Sequence, residues 1–399
     1  MTETWALAAL WLGLALFAGL VSIWLRVATA LSEIVVGVVA GAVLGTVLLG
    51  VDKEWIKFLA GAGAIVLTFL AGAELDPEVF RRKWKEATAV GLISFFAPLL
   101  GCTAAAYWLL GWSSDASWLA GVAMSTTSVA VVYAVMIEFG FNTTDYGKTV
   151  LAACFITDLG TVVALGLLFA PFTLKTLLFV GALVVVGLAV PWLTPRFFKR
   201  YGARASELEA KYLLVFLFGL GALATWADSE AVLPAYVLGM LLAGTVGRDH
   251  VLVRRLRTLC FGLLTPFYFI RAGSFVSLPA LVAAPAAFLL MLVVKVATKV
   301  VGVYPVTQVF RSPRQEGMYT TLLMSTGLTF GTISSLFGLS KGIVDQSQYS
   351  ALVAAVIASA VIPTLIANAW FMPRHLLPKA GTAGGETGAA VRPAPSKRS

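Results

Sequence analysis

The chain has 399 residues, 59% of them hydrophobic and only 12% charged, with a mean hydropathy of +0.90. A soluble domain carries about 25% charged residues, so this composition excludes a soluble enzyme or cytosolic binding module and indicates a polytopic membrane protein. The net charge of +9 sits in clusters beside apolar runs, with no aromatic–basic interleaving. That pattern suits anionic headgroups of the lipid bilayer and argues against nucleic acid.

Apolar runs of bilayer-crossing length, about 17–25 residues, fall near 5–25, 32–50, 55–75, 87–110, 116–138, 148–170, 173–194, 211–227, 231–247, 258–276, 281–308, 316–338 and 347–371. They predict an all-α protein of about 13 transmembrane helices. The first run lacks the basic flank of a signal peptide, with Glu3 its nearest charge, so it is read as a helix. On this count about 22 Lys and Arg flank one side of the bilayer and about 4 the other. The N-terminus is therefore expected outside and the C-terminus in the cytoplasm. The transmembrane domain spans 1–371, and the Gly-, Ala- and Pro-rich tail 373–399 is expected to be disordered.

An odd span count parses as a first repeat region (32–170), a linking helix (173–194) and a second repeat region (211–371), the two repeats inserted upside down relative to each other. Spans 5 and 12 are then equivalent. Each carries the marks of a discontinuous helix: Thr126, Thr127 and Ser128 in the first, and Thr326, Gly327 and Thr329 in the second. Unwound backbone at membrane depth is tolerated only inside protein or along a cavity, and such a symmetric pair points to a transport site.

The stretch 148–169 carries one carboxylate, Asp158, at its middle, about 15 Å from the start of the helix at 1.5 Å per residue. An ionised carboxylate there costs at least about 2.5–3.5 kcal/mol, so it marks function. Lys299 falls at a similar depth in span 11, and Lys295 lies one turn away on the same face. One carboxylate can hold a proton or a monovalent cation, and competition between them suffices for exchange. Thr126, Thr127, Ser128 and Thr157 are candidate oxygen ligands beside it.

The remaining polar groups are read more plainly. Cys102, Cys154 and Cys260 show no metal-ligand spacing and no disulfide frame. His250 and His375 sit in basic flanks and are expected to be solvated at the interface. Arg271, in the outer third of span 10, suits a structural contact as well as a transport role. Glu74 and Asp76 at the end of span 3 are read as capping and salt-bridge groups.

Several stretches in this order and spacing resemble the cation:proton antiporter-2 family of bacterial exchangers. They are Leu70 to Asp76 (LAGAELD), Thr126 to Ala130 (TTSVA), Thr157-Asp158, Pro266 to Phe269 (PFYF) and Lys299 to Gly302 (KVVG). The resemblance implies an NhaA-type antiporter fold, with two inverted repeats and crossed discontinuous helices, in a homodimer whose core moves elevator-fashion. It implies a multi-pass protein of the cell (inner) membrane that exchanges sodium, or alternatively potassium, for protons. It implies a transporter rather than an enzyme, with no cofactor beyond the transported ions and with room for a separate regulatory subunit. Asp158 would bind the proton or cation, with Lys299 and Lys295 as charge partners. The chain departs from the family at Thr157, where electrogenic members carry a second aspartate and electroneutral ones often asparagine. The rival class, an ion-coupled symporter of an organic anion, would need a spare cationic group, for which Arg271 is the candidate.

Overall fold

A computed structural model describes residues 2–376 except 26–27, 74–76, 142–143, 170–172, 203–205, 228, 230, 284 and 311. Glu74, Asp76 and the tail beyond residue 376 lie outside the described residues.

The described elements are helical. Helices α1 (Thr2–Leu25), α2 (Thr29–Leu48), α3 (Glu54–Ala73) and α4 (Pro77–Trp108) lead into a broken pair, α5 (Ser114–Ser125) and α6 (Val129–Glu138). Then follow α7 (Asp145–Phe169), α8 (Leu174–Tyr201), α9 (Leu208–Trp226), α10 (Val232–Leu242), α11 (His250–Leu259), α12 (Thr265–Ser274), α13 (Leu278–Ala283) and α14 (Pro285–Val309). A second broken pair, α15 (Arg314–Met324) and α16 (Thr329–Ser340), precedes α17 (Gln346–Ile366).

Ten of the described helical segments are long and apolar enough to cross a membrane, against the thirteen expected. The other three expected spans are real helical segments with physical interruptions. Residues 116–138 are split between α5 and α6, and 231–247 yields only the 11 residues of α10. Residues 258–276 are divided by a π turn at Cys260–Leu264, just ahead of Pro266. Proline has no N–H to give and its ring crowds the preceding turn, so the ladder is reset there.

The packing obeys the inverted-repeat symmetry. If span n in the first half matches span n+7 in the second, contacts must recur in matched pairs, and they do. Helix α2 packs on α12 as α10 packs on α3, α4 on α7 as α14 on α17, and α4 on α5 as α14 on α15. Spans also meet their own counterparts, α4 against α14 and α3 against α12.

Glycine sets two of the closest contacts. A Cβ at Gly273 of α12 would lie 2.1 Å from the Ile34 carbonyl oxygen, and one at Gly37 of α2 would lie 2.3 Å from the Ile270 carbonyl oxygen. The symmetry-related contact repeats the device, since a Cβ at Gly239 of α10 would lie 2.2 Å from the Phe69 carbonyl oxygen. Small residues replace side-chain packing with backbone approach, the usual route to tight helix pairs where the solvent is lipid.

Candidate functional site

Helix α5 ends at Ser125, and Thr126 turns extended, with φ −62° and ψ 153°. Helix α15 ends at Met324, and α16 restarts after Leu328, whose φ of −152° and ψ of −76° are not helical. Each break leaves backbone groups without helical partners, and a buried amide or carbonyl must find one elsewhere. The two breaks supply each other. The Ser128 amide donates to the Thr326 carbonyl at 3.2 Å, and the Thr127 hydroxyl donates to the Met324 carbonyl at 2.9 Å. The broken helices therefore cross and are stitched together at their unwound points.

Lys299 of α14 completes the join. Its ammonium donates to the Ser125 carbonyl at 3.0 Å, the Thr127 hydroxyl at 3.2 Å and the Ser94 hydroxyl at 2.7 Å, with the Thr126 carbonyl at 3.5 Å. A cation held against the last carbonyls of α5 also meets the negative end of that helix.

Asp158, on α7, is 1% exposed, and its Oδ1 has no hydrogen-bond partner among the described residues. The groups that bear on its carboxyl are Lys299, Lys295 and the Thr127 backbone amide. Neither lysine comes within 4.0 Å of a carboxylate oxygen of Asp158, so the expected charge partners act on it without forming a contact pair. Lys295 is fully buried, and its Nζ likewise has no hydrogen-bond partner among the described residues. It is packed over Gly327, where a Cβ would lie 2.1 Å from Nζ. That glycine is thus a seat for the second ammonium as well as part of a helix break.

The structure sorts the hydroxyl candidates by where their protons go. Thr126 donates to the Ala123 carbonyl at 3.1 Å and Thr326 to the Leu323 carbonyl at 2.7 Å, while the Ser128 hydroxyl accepts from the Val131 amide at 3.3 Å. A hydroxyl whose proton is given to a carbonyl keeps lone pairs to offer a cation. Thr157 is placed differently. Its hydroxyl reaches the carbonyls of Gly91 on α4 and Ala153 on its own helix, both at 3.1 Å, so it ties α7 to α4. Thr329 opens α16, half-buried, and makes no side-chain hydrogen bond among the described residues.

Tyr236 of α10 is the group that sequence reasoning missed. It is fully buried, donates its hydroxyl to the Phe155 carbonyl on α7 at 2.9 Å and meets the ring of Phe330 on α16 edge-on at 5.6 Å. Its neighbourhood includes Asp158. A tyrosine inside an apolar span gives no pattern by which to single it out. Ser94 was missed for the same reason.

Arg271 is engaged elsewhere, donating to the Val51 carbonyl at 2.9 Å and lying 5.0 Å over the Phe275 ring. His375, expected to be solvated, has an exposed side chain and also sets Nε2 2.7 Å from the carboxylate of Glu316. The three cysteines are free and buried.

Comparison with known proteins places this arrangement. Probable Na(+)/H(+) antiporter 3 of Methanocaldococcus jannaschii is 24% identical over 357 residues, covering 86% of this chain and 90% of that protein. Cation/H(+) antiporter 18 of Arabidopsis thaliana is 24% identical over 382 residues, and the glutathione-regulated potassium-efflux system protein KefC of Salmonella heidelberg is 26% identical over 351. The chain spans only about half the length of those two, 47% and 54% respectively. Among solved structures, the sodium proton antiporter MjNhaP1 from M. jannaschii superposes with a TM-score of 0.70 over 92% of this chain and 96% of that one, at 16% identity. It shares the fold. The family model for the transmembrane sodium/hydrogen exchanger matches residues 12–372, and the chain belongs to that family.

Proposed function

We propose that the chain exchanges a monovalent cation, sodium first, for protons by alternating access, with Asp158 holding either the cation or the proton. One observation carries this reading: a carboxylate oxygen with no hydrogen-bond partner among the described residues is buried beside the Thr127 backbone, where two broken helices cross. An unpaired buried charge is costly, so the site is stable only when a proton or a cation occupies it. Competition for one site then couples the two fluxes. Hydroxyl lone pairs and freed backbone carbonyls around the crossing suit a hard monovalent cation. Sodium is favoured by the names of the antiporters that match over most of their length, while the KefC relatives keep potassium as the second reading.

The same reading makes the chain a homodimeric, multi-pass protein of the inner membrane with thirteen crossings, its N-terminus outside and its C-terminus in the cytoplasm. It is not an enzyme, and it needs no cofactor beyond the ions it moves. A core built on the crossed helices would shift against the helices around α3 and α10.

The test is proton movement in proteoliposomes with an acidic lumen, on adding sodium, potassium or lithium, with Asp158→Asn alongside. Cation-specific loss of the gradient that disappears in the variant supports exchange and names the ion. A variant that exchanges at the wild-type rate excludes Asp158 as the single site. Competition further requires that the apparent cation affinity fall as the medium is acidified.

A further inference from the structure

Sulfur as well as oxygen lies beside the crossing of the broken helices. Cys154 of α7 donates its thiol to the Met324 thioether at 3.6 Å, and both side chains are fully buried. Met324 is the last residue of α15, so it stands at the second helix break. The two residues are 170 apart in the chain, which is why no ligand spacing in the sequence signals them. Among the described residues, Cys102 and Cys260 make no such sulfur contact.

The pair adjoins the candidate ion site. Cys154 and Asp158 are four residues apart on α7 and share a helix face, with Cβ atoms about 5–6 Å apart. The charge of Asp158 bears on Cys154, as does that of Lys299. Thr127 joins the groups from the other side. Its hydroxyl donates to the Met324 carbonyl at 2.9 Å, and its backbone amide bears on the Asp158 carboxyl. A thiol, a thioether and a carboxylate whose Oδ1 has no hydrogen-bond partner among the described residues thus border one buried region.

Sodium and potassium are hard and take oxygen, whereas thiolate and thioether select soft cations such as Cu(I). We propose that Cys154 and Met324 form a site for a soft monovalent metal, Cu(I) or Ag(I), which arrives by the route of the transported cation and blocks exchange. The metal–sulfur bond forms as the S–H bond of Cys154 breaks, and sulfur keeps the electron pair. The proton passes to the Asp158 carboxylate, and the thioether supplies the second ligand through a lone pair. No electron is transferred. Asp158 then holds a proton with the metal beside it, and sodium has no site. At a metal–sulfur bond of about 2.3 Å the two sulfurs, 3.6 Å apart, must part by about 1 Å, which the three rotatable bonds of methionine permit. The blocking half rests on the exchange reading; the binding half does not.

The experiment uses silver nitrate in chloride-free medium, because silver keeps its single charge without a reductant. In detergent, thermal melting of the full-length chain and the protons released per silver bound are followed. In proteoliposomes, sodium-driven proton movement is measured against silver concentration.

Silver should raise the melting temperature, since a ligand of the folded state stabilises it, and should stop exchange, with excess sodium protecting. Cys154→Ser should raise the half-inhibitory silver concentration about tenfold or more, and Cys260→Ser should not. Met324→Leu, close in volume and apolar, should also raise it and carries the test if the serine variant does not fold. In a medium alkaline enough to ionise Asp158, the wild type should release fewer protons per silver than Asp158→Asn, which has no carboxylate to hold the thiol proton. Equal release by the two overturns the transfer to Asp158. Silver that neither shifts melting nor slows exchange overturns the proposal, as does inhibition that persists in Cys154→Ser and disappears in Cys102→Ser or Cys260→Ser. Silver binding at Cys154 in a chain that exchanges no cation would instead overturn the exchange reading and leave the metal site standing.

Discussion

The Lys299 ammonium lies 3.0 Å from the carbonyl oxygen of Ser125, the last residue of α5. This lysine is therefore a cap for a helix that stops in mid-membrane as well as a charge near Asp158. Its hydrogen bonds go to α4 and the α5–α6 break, and no contact pair with Asp158 forms. The chain thus accommodates this buried lysine with hydroxyl and carbonyl partners and no carboxylate in contact.

Lys299→Met should destabilise the protein by about 2–4 kcal/mol, because charge-assisted hydrogen bonds are lost and the Ser125 carbonyl is left unsatisfied. Thermal melting in detergent reads this directly. An unchanged melting temperature would show that the break does not depend on the lysine.

At Gly327 a side chain would meet first the far end of a flexible one, Lys295 Nζ at 2.1 Å from the Cβ position, and then the Thr126 hydroxyl at 2.9 Å. Gly327→Ala should therefore fold but displace the ammonium, lowering the exchange rate about tenfold, equivalent to about 1.4 kcal/mol on the barrier. Adding Lys295→Met should recover the melting temperature lost in the single variant. If it does not, the alanine acts through the backbone and the seat is misassigned.

Thr157→Val removes a hydroxyl bonded to the Gly91 and Ala153 carbonyls, and should cost about 0.5–1.5 kcal/mol while leaving exchange in place. Thr157→Asp sets a carboxylate against those same carbonyl oxygens and should destabilise more. Reversal potentials of the aspartate variant report whether it changes the charge moved per cycle. Loss of transport in the valine variant at normal stability would return Thr157 to the ion's ligands.

Tyr236→Phe deletes one hydrogen bond between α10 and α7 and should lower stability by about 1 kcal/mol. If α7 moves past α10 in each cycle, that bond must break every time, and the variant should turn over faster. Turnover unchanged at saturating sodium would mean that the two helices travel together.

Much of the fold was legible because lipid imposes simple rules. Helices must satisfy their own backbone, so spans are long apolar runs, and the hydroxyl- and glycine-rich interruptions at Thr126–Ser128 and Thr326–Thr329 stand out against them. Asp158 stands out in the sequence by the cost of a carboxylate in hydrocarbon, and the structure buries it beside the α5–α6 break. Less legible were α10 and the segment around Pro266, where short length and a π turn blur a hydropathy window.

The sequence by itself determined the membrane class, the all-helical architecture and the two helix breaks, since all depend on periodicity and on what lipid demands of the backbone. Only the tertiary structure decided partners. Lys299 turned to the end of α5, Thr157 to α4, Arg271 to Val51, and Tyr236 entered the site from another helix. Rise per residue fixes a side chain's depth along one helix. Which neighbour it meets depends on crossing and rotation, and these are set by glycine contacts such as Gly273 with Ile34 and Gly239 with Phe69, from segments more than 150 residues apart in the chain.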